Sequence, residues 1–491
     1  MTSTLDTTAA VEAPSAPTGP ATYSRLVLPA MAANVFLLSL IQTVVVPALT
    51  LIGTQLGAAA TTVGWVSTAT MLTAAALTPL FGRLGDVLGN RRVILVVLGL
   101  TLVGSVVAAT ADSIGVLIAG RALQGASFGL FPLAISVLRQ ELPMERMHHG
   151  MAVAASALGF GSGFALVATG LLTQHDGDFH RIFWLTAAAS LVMLAVSAVV
   201  LPRRAGQGGS VDYRGAAVLA LGLVLLLLPV SQGHEWGWTS VATLGLFAGS
   251  VVVLAGFGVL QHRTATPLIK LDLLSHRPVL ATNLASLFVG FAMFSVFLGA
   301  TYFVQTPDVL TGFGFGASVL RTSVVYMLPG TLLAIPLGPI SGRFVVRFGA
   351  RPVLLVASLL GVASLASLTL LHANSLEFIL ALVVGNAAIA VAYAAMPALL
   401  AQHVSLADTG VANSVNSIMR TVGGAIGSAI VITVLTSNTA GYATPAGPIA
   451  LPTEGAYETA FVLGGVSFAI AALLAAFGFG HHGRRPAGDA C

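Results

Sequence analysis

The sequence predicts an all-α integral membrane protein with fourteen transmembrane helices, arranged as two six-helix pseudo-repeat bundles plus an inserted helix pair. Three observations predict it. Of 491 residues, 56% are hydrophobic and only 8% charged, whereas a soluble domain is about 25% charged. Fourteen apolar runs recur, each near the ~20 residues a helix needs to cross ~30 Å of hydrocarbon. Finally, the basic, glycine-punctuated loop Gly82-Arg-Leu-Gly-Asp-Val-Leu-Gly-Asn-Arg-Arg92 is echoed by Ser341-Gly-Arg-Phe-Val-Val-Arg-Phe-Gly-Ala-Arg351. Such internal repetition between membrane helices marks duplicated carrier architectures.

Taken in order, residues 1–24 are rich in Ala, Thr, Ser and Pro and carry Asp6 and Glu12. They lack the basic start and apolar centre of a secretory signal and are expected to form a disordered cytoplasmic tail. The predicted spans are 27–50, 62–82, 92–110, 114–138, 150–172, 181–201, 215–231, 239–260, 279–305, 319–340, 352–371, 376–400, 411–436 and 457–479. The first loop copy joins the second and third spans, the other the tenth and eleventh. That register divides the chain into an N-terminal bundle (25–202), a linker and inserted pair (203–265), a C-terminal bundle (266–480) and a cytoplasmic tail (481–491). Trp236 and Trp238, in the turn His234-Glu-Trp-Gly-Trp238 of the pair, suit an interfacial aromatic belt.

With the N-terminus cytoplasmic, seventeen basic residues fall in inner loops and two, Arg181 and Arg321, in outer ones. This bias predicts both termini inside. The remaining two, Arg121 and Arg420, lie within spans. The lone cysteine, Cys491, forbids an internal disulfide and implies no redox or metal role.

The first loop suggests an inner gate. Asp86 follows an apolar helix and could accept hydrogen bonds at a helix N-terminus of the opposite bundle. Gly82, Gly85 and Gly89 would permit close backbone approach, and Arg91 and Arg92 would hold the loop inside. The second copy has Val346 in place of the aspartate and reads as an ordinary positive-inside hairpin.

Arg121 lies about 10 Å deep, counted from the outer end of its span at 1.5 Å per residue. Gln42 and Thr43 reach about the same depth from the inside, so Arg121 and Gln42 are expected to pair as a polar floor of the cavity, with Gln124 beside them. The alternative is that Arg121 snorkels or bonds only backbone carbonyls. In the thirteenth span Asn413, Asn416 and Arg420 share one face; Arg420 either lines the cavity, snorkels or joins the gate with Asp86. Asn283, Gln305, Tyr326, Asn386 and Tyr393 are further polar groups at membrane depth, and some of them, with Asn413 and Asn416, should line the central cavity. Of the row Phe288, Phe291, Phe294 and Phe297, steps of three drift by about 60° each, leaving Phe294 and Phe297 as cavity candidates.

None of the 17 acidic residues falls mid-span. A coupling group must change charge as access alternates; the candidates are Asp86, Asp308 at the outer end of the ninth span, and the loop histidines His148 and His149. Asp308 can also cap a turn.

Several motifs together resemble the bacterial major facilitator superfamily, in its fourteen-helix drug/proton antiporter (multidrug efflux) branch. They are Gly82, Asp86, Gly89, Arg91 and Arg92 in the first loop; Gly120-Arg-Ala-Leu-Gln-Gly125; Asp212-Tyr-Arg-Gly215; Gly233-His-Glu-Trp-Gly-Trp238; and Gly410-Val-Ala-Asn-Ser-Val-Asn-Ser-Ile-Met-Arg-Thr-Val-Gly-Gly424. The resemblance implies an inner-membrane secondary transporter. It would export amphipathic organic compounds, conferring antibiotic resistance, by alternating access in exchange for protons. It further implies a monomer in contact with membrane lipid, a small organic substrate, no cofactor and no nucleic-acid partner. Three positions depart from the branch pattern. Ile41 stands where the antiporters carry an aspartate, and Leu166 where a proline is common; Thr50 likewise replaces a proline after the first motif.

These departures keep open an importer or uniporter without proton antiport. A non-transporting receptor or lipid-handling protein on the same scaffold is the alternative from another class. No Gly-x-x-x-x-Gly-Lys-Ser/Thr loop is present, which disfavours ATP-driven transport, and no catalytic constellation or metal-ligand spacing is visible. A buried arginine with no central acid favours neutral or anionic substrates over cationic ones.

Overall fold

The computed structural model describes residues 21–479, apart from 143, 175–176, 207, 209–211, 265–266, 269–275, 405–408 and 445–446. Of the expected tails, residues 1–20 and 481–491 lie outside the described residues, as do 207, 209 and 210 of the linker; residues 21–24, expected in the disordered tail, instead begin the first helix.

Long helices dominate, as apolar runs in lipid must satisfy every backbone group internally. α1 (Ala21–Thr43) continues through a 3-10 turn, Val46–Ala48, into Leu49–Gln55; Pro47 sits in that turn, where its missing N–H is harmless. Then follow α2 (Ala60–Leu88), α3 (Asn90–Ala109), α4 (Ile114–Glu141), α5 (Met144–Leu172) and α6 (His180–Val200). The inserted pair is α7 (Tyr213–Trp236) and α8 (Val241–Arg263). The last six are α9 (Arg277–Gln305), α10 (Val319–Arg321, a π-turn Thr322–Met327, then Leu328–Phe348), α11 (Ala350–Leu370), α12 (Ser375–His403), α13 (Thr409–Ser437) and α14 (Glu454–Phe477). Among the described residues, twelve helices are long and apolar enough to cross a membrane. α2 and α5, of 29 residues each, are not among those twelve.

One element departs from the all-α expectation. Between α13 and α14 an antiparallel hairpin pairs β1 (Thr439–Thr444) with β2 (Gly447–Pro452), setting Tyr442 opposite Ile449. The segment is too short and too polar to be a span, and its alternating Tyr, Ile and Leu suit a small ribbon.

The pairings of the first six helices recur in the last six. α1 packs on α5 and α3 on α6; correspondingly α9 packs on α13 and α11 on α14. The two sets meet along two seams, α2 with α13 and α5 with α10. Glycines make the contacts close. A Cβ at Gly423 would lie 1.9 Å from the Leu287 carbonyl, and one at Gly290 2.2 Å from that of Arg420. On α5, Gly159 and Gly170 face Ile335 and Leu320 of α10, while Gly161 faces the Phe36 carbonyl of α1.

The repeated loops fold alike. Gly89 (φ 94°) and Gly349 (φ 89°) each occupy the left-handed region between two helices, a conformation open to glycine at little cost. Arg91 then donates to the Ala198 carbonyl at the end of α6 (2.6 Å), and Arg351 to the Ala475 carbonyl at the end of α14 (2.9 Å). A cation is favourable at a helix C-terminus, where free carbonyls concentrate negative charge.

The inserted pair is anchored by its own motif. Asp212 caps α7 by accepting from Gly215 N (2.7 Å) and holds α8 by accepting from Gln261 Nε2 (2.6 Å). Trp238 lies against Gly233, where a Cβ would sit 2.7 Å from the indole. α7 packs on both α2 and α13. Leu219 and Leu223 join Ala75, Val415, Ile418 and Val422 in one buried cluster, so the pair spans one of the two seams.

Candidate functional site

The end carrying the Gly82–Arg92 and Ser341–Arg351 turns is called the basic face here. At the far face the two sets of six are tied together. Thr50 Oγ1 donates to Gln305 Oε1, and Gln305 Nε2 donates to the Pro47 carbonyl at 3.0 Å. Thr68 Oγ1 reaches Ser428 Oγ (3.4 Å) across the α2–α13 seam, and Gly64 abuts Ile432. Towards the basic face, a Cβ at Gly82, Gly338 or Gly342 would meet nothing within 4 Å. Among the described residues the two sets of six are thus tied together at the far face.

Arg121 is the most deeply buried charge, 1% exposed. Its Nε donates to the Val66 carbonyl (3.0 Å), and Nη1 to the Ile41 carbonyl (3.1 Å) and to Gln124 Oε1 (2.7 Å). Gln124 passes the network on to Ser105 Oγ (2.7 Å) and Thr186 Oγ1 (3.3 Å). Five helices, α1, α2, α3, α4 and α6, thus share one polar knot. The expected Arg121–Gln42 floor is corrected: the guanidinium reaches α1 at the Ile41 carbonyl, one residue earlier, and takes its side-chain partner from its own helix. Carbonyls offered a rigid acceptor set at that depth, whereas Gln42 points to the half-buried side of α1. Gln124 is a member of the knot and not a lining residue.

Other expected lining residues lie at contacts between helices of the same set. Thr43 is buried and donates to Ser162 Oγ (3.1 Å) on α5, as Ser39 pairs with the same hydroxyl (2.6 Å). Asn416 Nδ2 donates to Asn283 Oδ1 (3.2 Å) between α13 and α9, which leaves Asn283 Nδ2 buried without a partner. Phe294 is 4% exposed and its ring lies against Gly424, 3.0 Å from where a Cβ would be. Asn386 donates to its own helix at Leu382 (3.0 Å) and abuts Gly330 of α10. Gln42, Phe297 and Asn413 remain half-buried.

The gate set divides likewise. Gly85 packs against Asn90 and Leu133, and Gly89 lies under the Arg204 carbonyl of the linker, all within or beside the first six helices. Asn90 donates to Ser136 Oγ (2.9 Å), and Arg204 donates to Glu141 (3.1 Å), clamping α3, α4 and the linker together. Arg92 is exposed. The side chains of Asp86, His148 and His149 lie outside the described residues. Arg420 bonds Ser417 Oγ (3.3 Å) on its own helix and its guanidinium sits 4.6 Å above the Tyr393 ring of α12, a cation on a ring face; its expected union with Asp86 involves a side chain outside the described residues. Asp308 is exposed and opens a one-turn helix, Asp308–Thr311, beyond α9.

Three features had no sequence signal strong enough to find them. Met293, whose Sδ accepts from the Tyr393 hydroxyl (3.3 Å), joins α9 to the Arg420–Tyr393 pair. Ser162 is a single small residue among glycines. The far-face aromatic cluster around Phe303, which stacks on Phe378 at 5.1 Å and meets Tyr457 edge-on at 5.3 Å, draws rings from four separate segments.

Comparisons with known proteins agree with this geometry. Residues 31–428 and 314–489 match the family model described as Major Facilitator Superfamily. A tetracenomycin C resistance and export protein of Streptomyces glaucescens is 27% identical over 83% of this chain and 75% of that protein. A puromycin resistance protein of Streptomyces alboniger is 29% identical over 82% of this chain and 79% of its own. A uridine/deoxyuridine transporter of Lactococcus lactis is 29% identical, covering 67% of this chain and 69% of that one. Among solved structures, a human organic anion transporter superposes with a TM-score of 0.61 at 16% identity, over 93% of this chain and all of that one. A nucleoside transporter superposes at 0.60 and 16%, over 91% and all of its chain. At such identities the structures speak for the fold alone.

Proposed function

The chain belongs to the Major Facilitator Superfamily, is a transporter and not an enzyme, and from that premise we propose that it exports amphipathic organic compounds by alternating access, in exchange for protons. On this reading it crosses the bacterial cytoplasmic membrane fourteen times, α2 and α5 completing the twelve apolar spans, as a monomer with both termini and the basic face in the cytoplasm. Residues 25–202 and 266–480 are the two rocking bundles, and 203–265 the inserted pair. The supporting observation is the far-face tie, in which Thr50 and Gln305 join the two bundles. A carrier loading from the cytoplasm presents this arrangement. The resistance exporters among the relatives support the direction.

A second reading, uptake or uniport without proton exchange, has its own support. Ile41 is fully buried and gives only its carbonyl to Arg121. Among the described residues no carboxylate stands beside that guanidinium to carry a proton. The uridine/deoxyuridine transporter relative is consistent with it.

Everted membrane vesicles with imposed pH gradients separate the two. Accumulation of anionic and neutral dyes that rises with an acid interior supports export by proton exchange. Accumulation indifferent to the gradient removes the exchange and leaves the second reading.

A further inference from the structure

Two arginines, Arg121 and Arg420, lie well inside the apolar spans and away from their ends, and their surroundings differ. Arg121 is consumed by the fold: three hydrogen bonds, no exposure to speak of, and a place in a knot of five helices. Arg420 is half-buried about 16 Å along α13 from its basic-face end, at 1.5 Å per residue. It gives one N–H to Ser417 and one flat face to Tyr393. Among the described residues no carboxylate pairs with it, and its remaining donors have no protein acceptor. An unneutralised charge at membrane depth is costly unless something answers it.

The direction of the side chain follows from its neighbours. α13 is covered on one flank by α2 and α7. α9 turns another face to α14, where Ser295 meets Gly464 and Ala281 meets Gly478. The Arg420 backbone abuts Gly290 of α9, while its guanidinium lies over Tyr393, which is tied to Met293. The guanidinium therefore stands where α9, α12 and α13 converge. Its edge carries paired N–H donors in the geometry that matches a carboxylate, sulfonate or phosphate, and the Tyr393 ring and Met293 thioether supply an apolar, polarisable wall beside it.

We propose that Arg420, backed by Tyr393 and Met293, is the substrate-binding site for the acidic group of an organic anion. The inference rests on the transporter reading above and adds the chemical class of its substrate. Arg121 takes no part in recognition. The preference for anions is set in the C-terminal half.

The test is equilibrium binding, which needs neither a gradient nor a transport direction and so is read separately from the vesicle experiment. Fluorescein and rhodamine 123 share one xanthene skeleton, but rhodamine 123 is a methyl ester with no free carboxylate and a net positive charge. The full chain, purified in detergent, is expected to bind fluorescein at least tenfold more tightly than rhodamine 123. Arg420→Gln is expected to abolish that preference, Arg420→Lys to keep part of it, and Tyr393→Leu to weaken fluorescein binding severalfold, each at unchanged melting temperature within a few degrees. Equal affinities in the wild type, no saturable fluorescein binding, or an undiminished preference in Arg420→Gln would overturn the proposal. Should Arg420→Gln not fold, the wild-type comparison and Tyr393→Leu decide it. If vesicle efflux proves insensitive to pH while the charge preference holds, the exchange fails and this site stands.

Discussion

Arg91 and Arg351 perform the same task in the two halves of the molecule. Each leaves a left-handed glycine, Gly89 or Gly349, and donates to a terminal carbonyl of the sixth helix of its own set, Ala198 or Ala475. The basic residues that orient the loops are thus also helix caps, so the duplication seen in sequence is a duplication of contacts.

Replacement of either by glutamine should lose a charge-assisted hydrogen bond, worth roughly 1.5–3 kcal/mol. Arg91→Gln and Arg351→Gln are expected to lower the melting temperature in detergent by similar amounts. A large loss for one and none for the other would contradict the equivalence.

Arg121→Ala should be more damaging, because it strands Gln124 Oε1 and takes a charged donor from the Ile41 and Val66 carbonyls in a sealed interior, leaving Val66 only its bond from Thr70. A loss of ~3 kcal/mol or more is expected, since each unsatisfied buried group costs roughly 1–3 kcal/mol. Arg121→Lys should restore only part of it, because an ammonium cannot span three acceptors in a plane. Yield and melting temperature after detergent extraction report both.

The far-face tie between Thr50 and Gln305 should hold that mouth shut. With Cys491 replaced by serine and a cysteine placed at Leu320, which packs against Gly170 in the α5–α10 seam, an impermeant maleimide reads opening from outside the cell. Gln305→Leu is expected to raise the labelling rate severalfold, and Thr50→Val to raise it less, because Gln305 keeps its bond to Pro47. Unchanged labelling in both would show that the glycine seams alone suffice.

At the start of α6, Asp178 accepts from the His180 backbone N–H (3.0 Å) and contacts its ring. Partial burial pushes its carboxyl pKa up, but these hydrogen bonds, with the charges of His180 and Arg181, outweigh it and hold the pKa below the ordinary carboxylate value. A group with a depressed folded pKa stabilises above its unfolded value of about 3.9 and loses that contribution as pH falls through the folded value. The melting-temperature gap between the wild type and Asp178→Asn should therefore narrow as pH falls below about 4. It should be small, since an exposed pair is worth at most ~1 kcal/mol.

The helices, the duplicated loops and the inserted pair were legible because each has a local cause: apolar length, a glycine with positive φ, a capping Asp212. The site was less legible. Arg121 and Gln124 were recognised as polar and deep, yet depth counted along two helices does not tell a side chain from the carbonyl beside it, so Ile41 and not Gln42 proved the acceptor. Asn283 and Asn416 share a helix face with cavity positions, and only the neighbour's glycines decide that they sit between helices of the same set. Thr50 and Gln305 are 255 residues apart, and nothing in either segment announces the other.

The inserted pair has a consequence for how the molecule meets its surroundings. α7 lies across the α2–α13 junction, whereas at the α5–α10 junction Phe160, Phe164, Leu332 and Leu333 are exposed. The halves mirror one another, but their flanks do not. A greasy solute diffusing sideways through the bilayer finds one flank walled off and the other bare, which gives an otherwise twofold machine a front and a back.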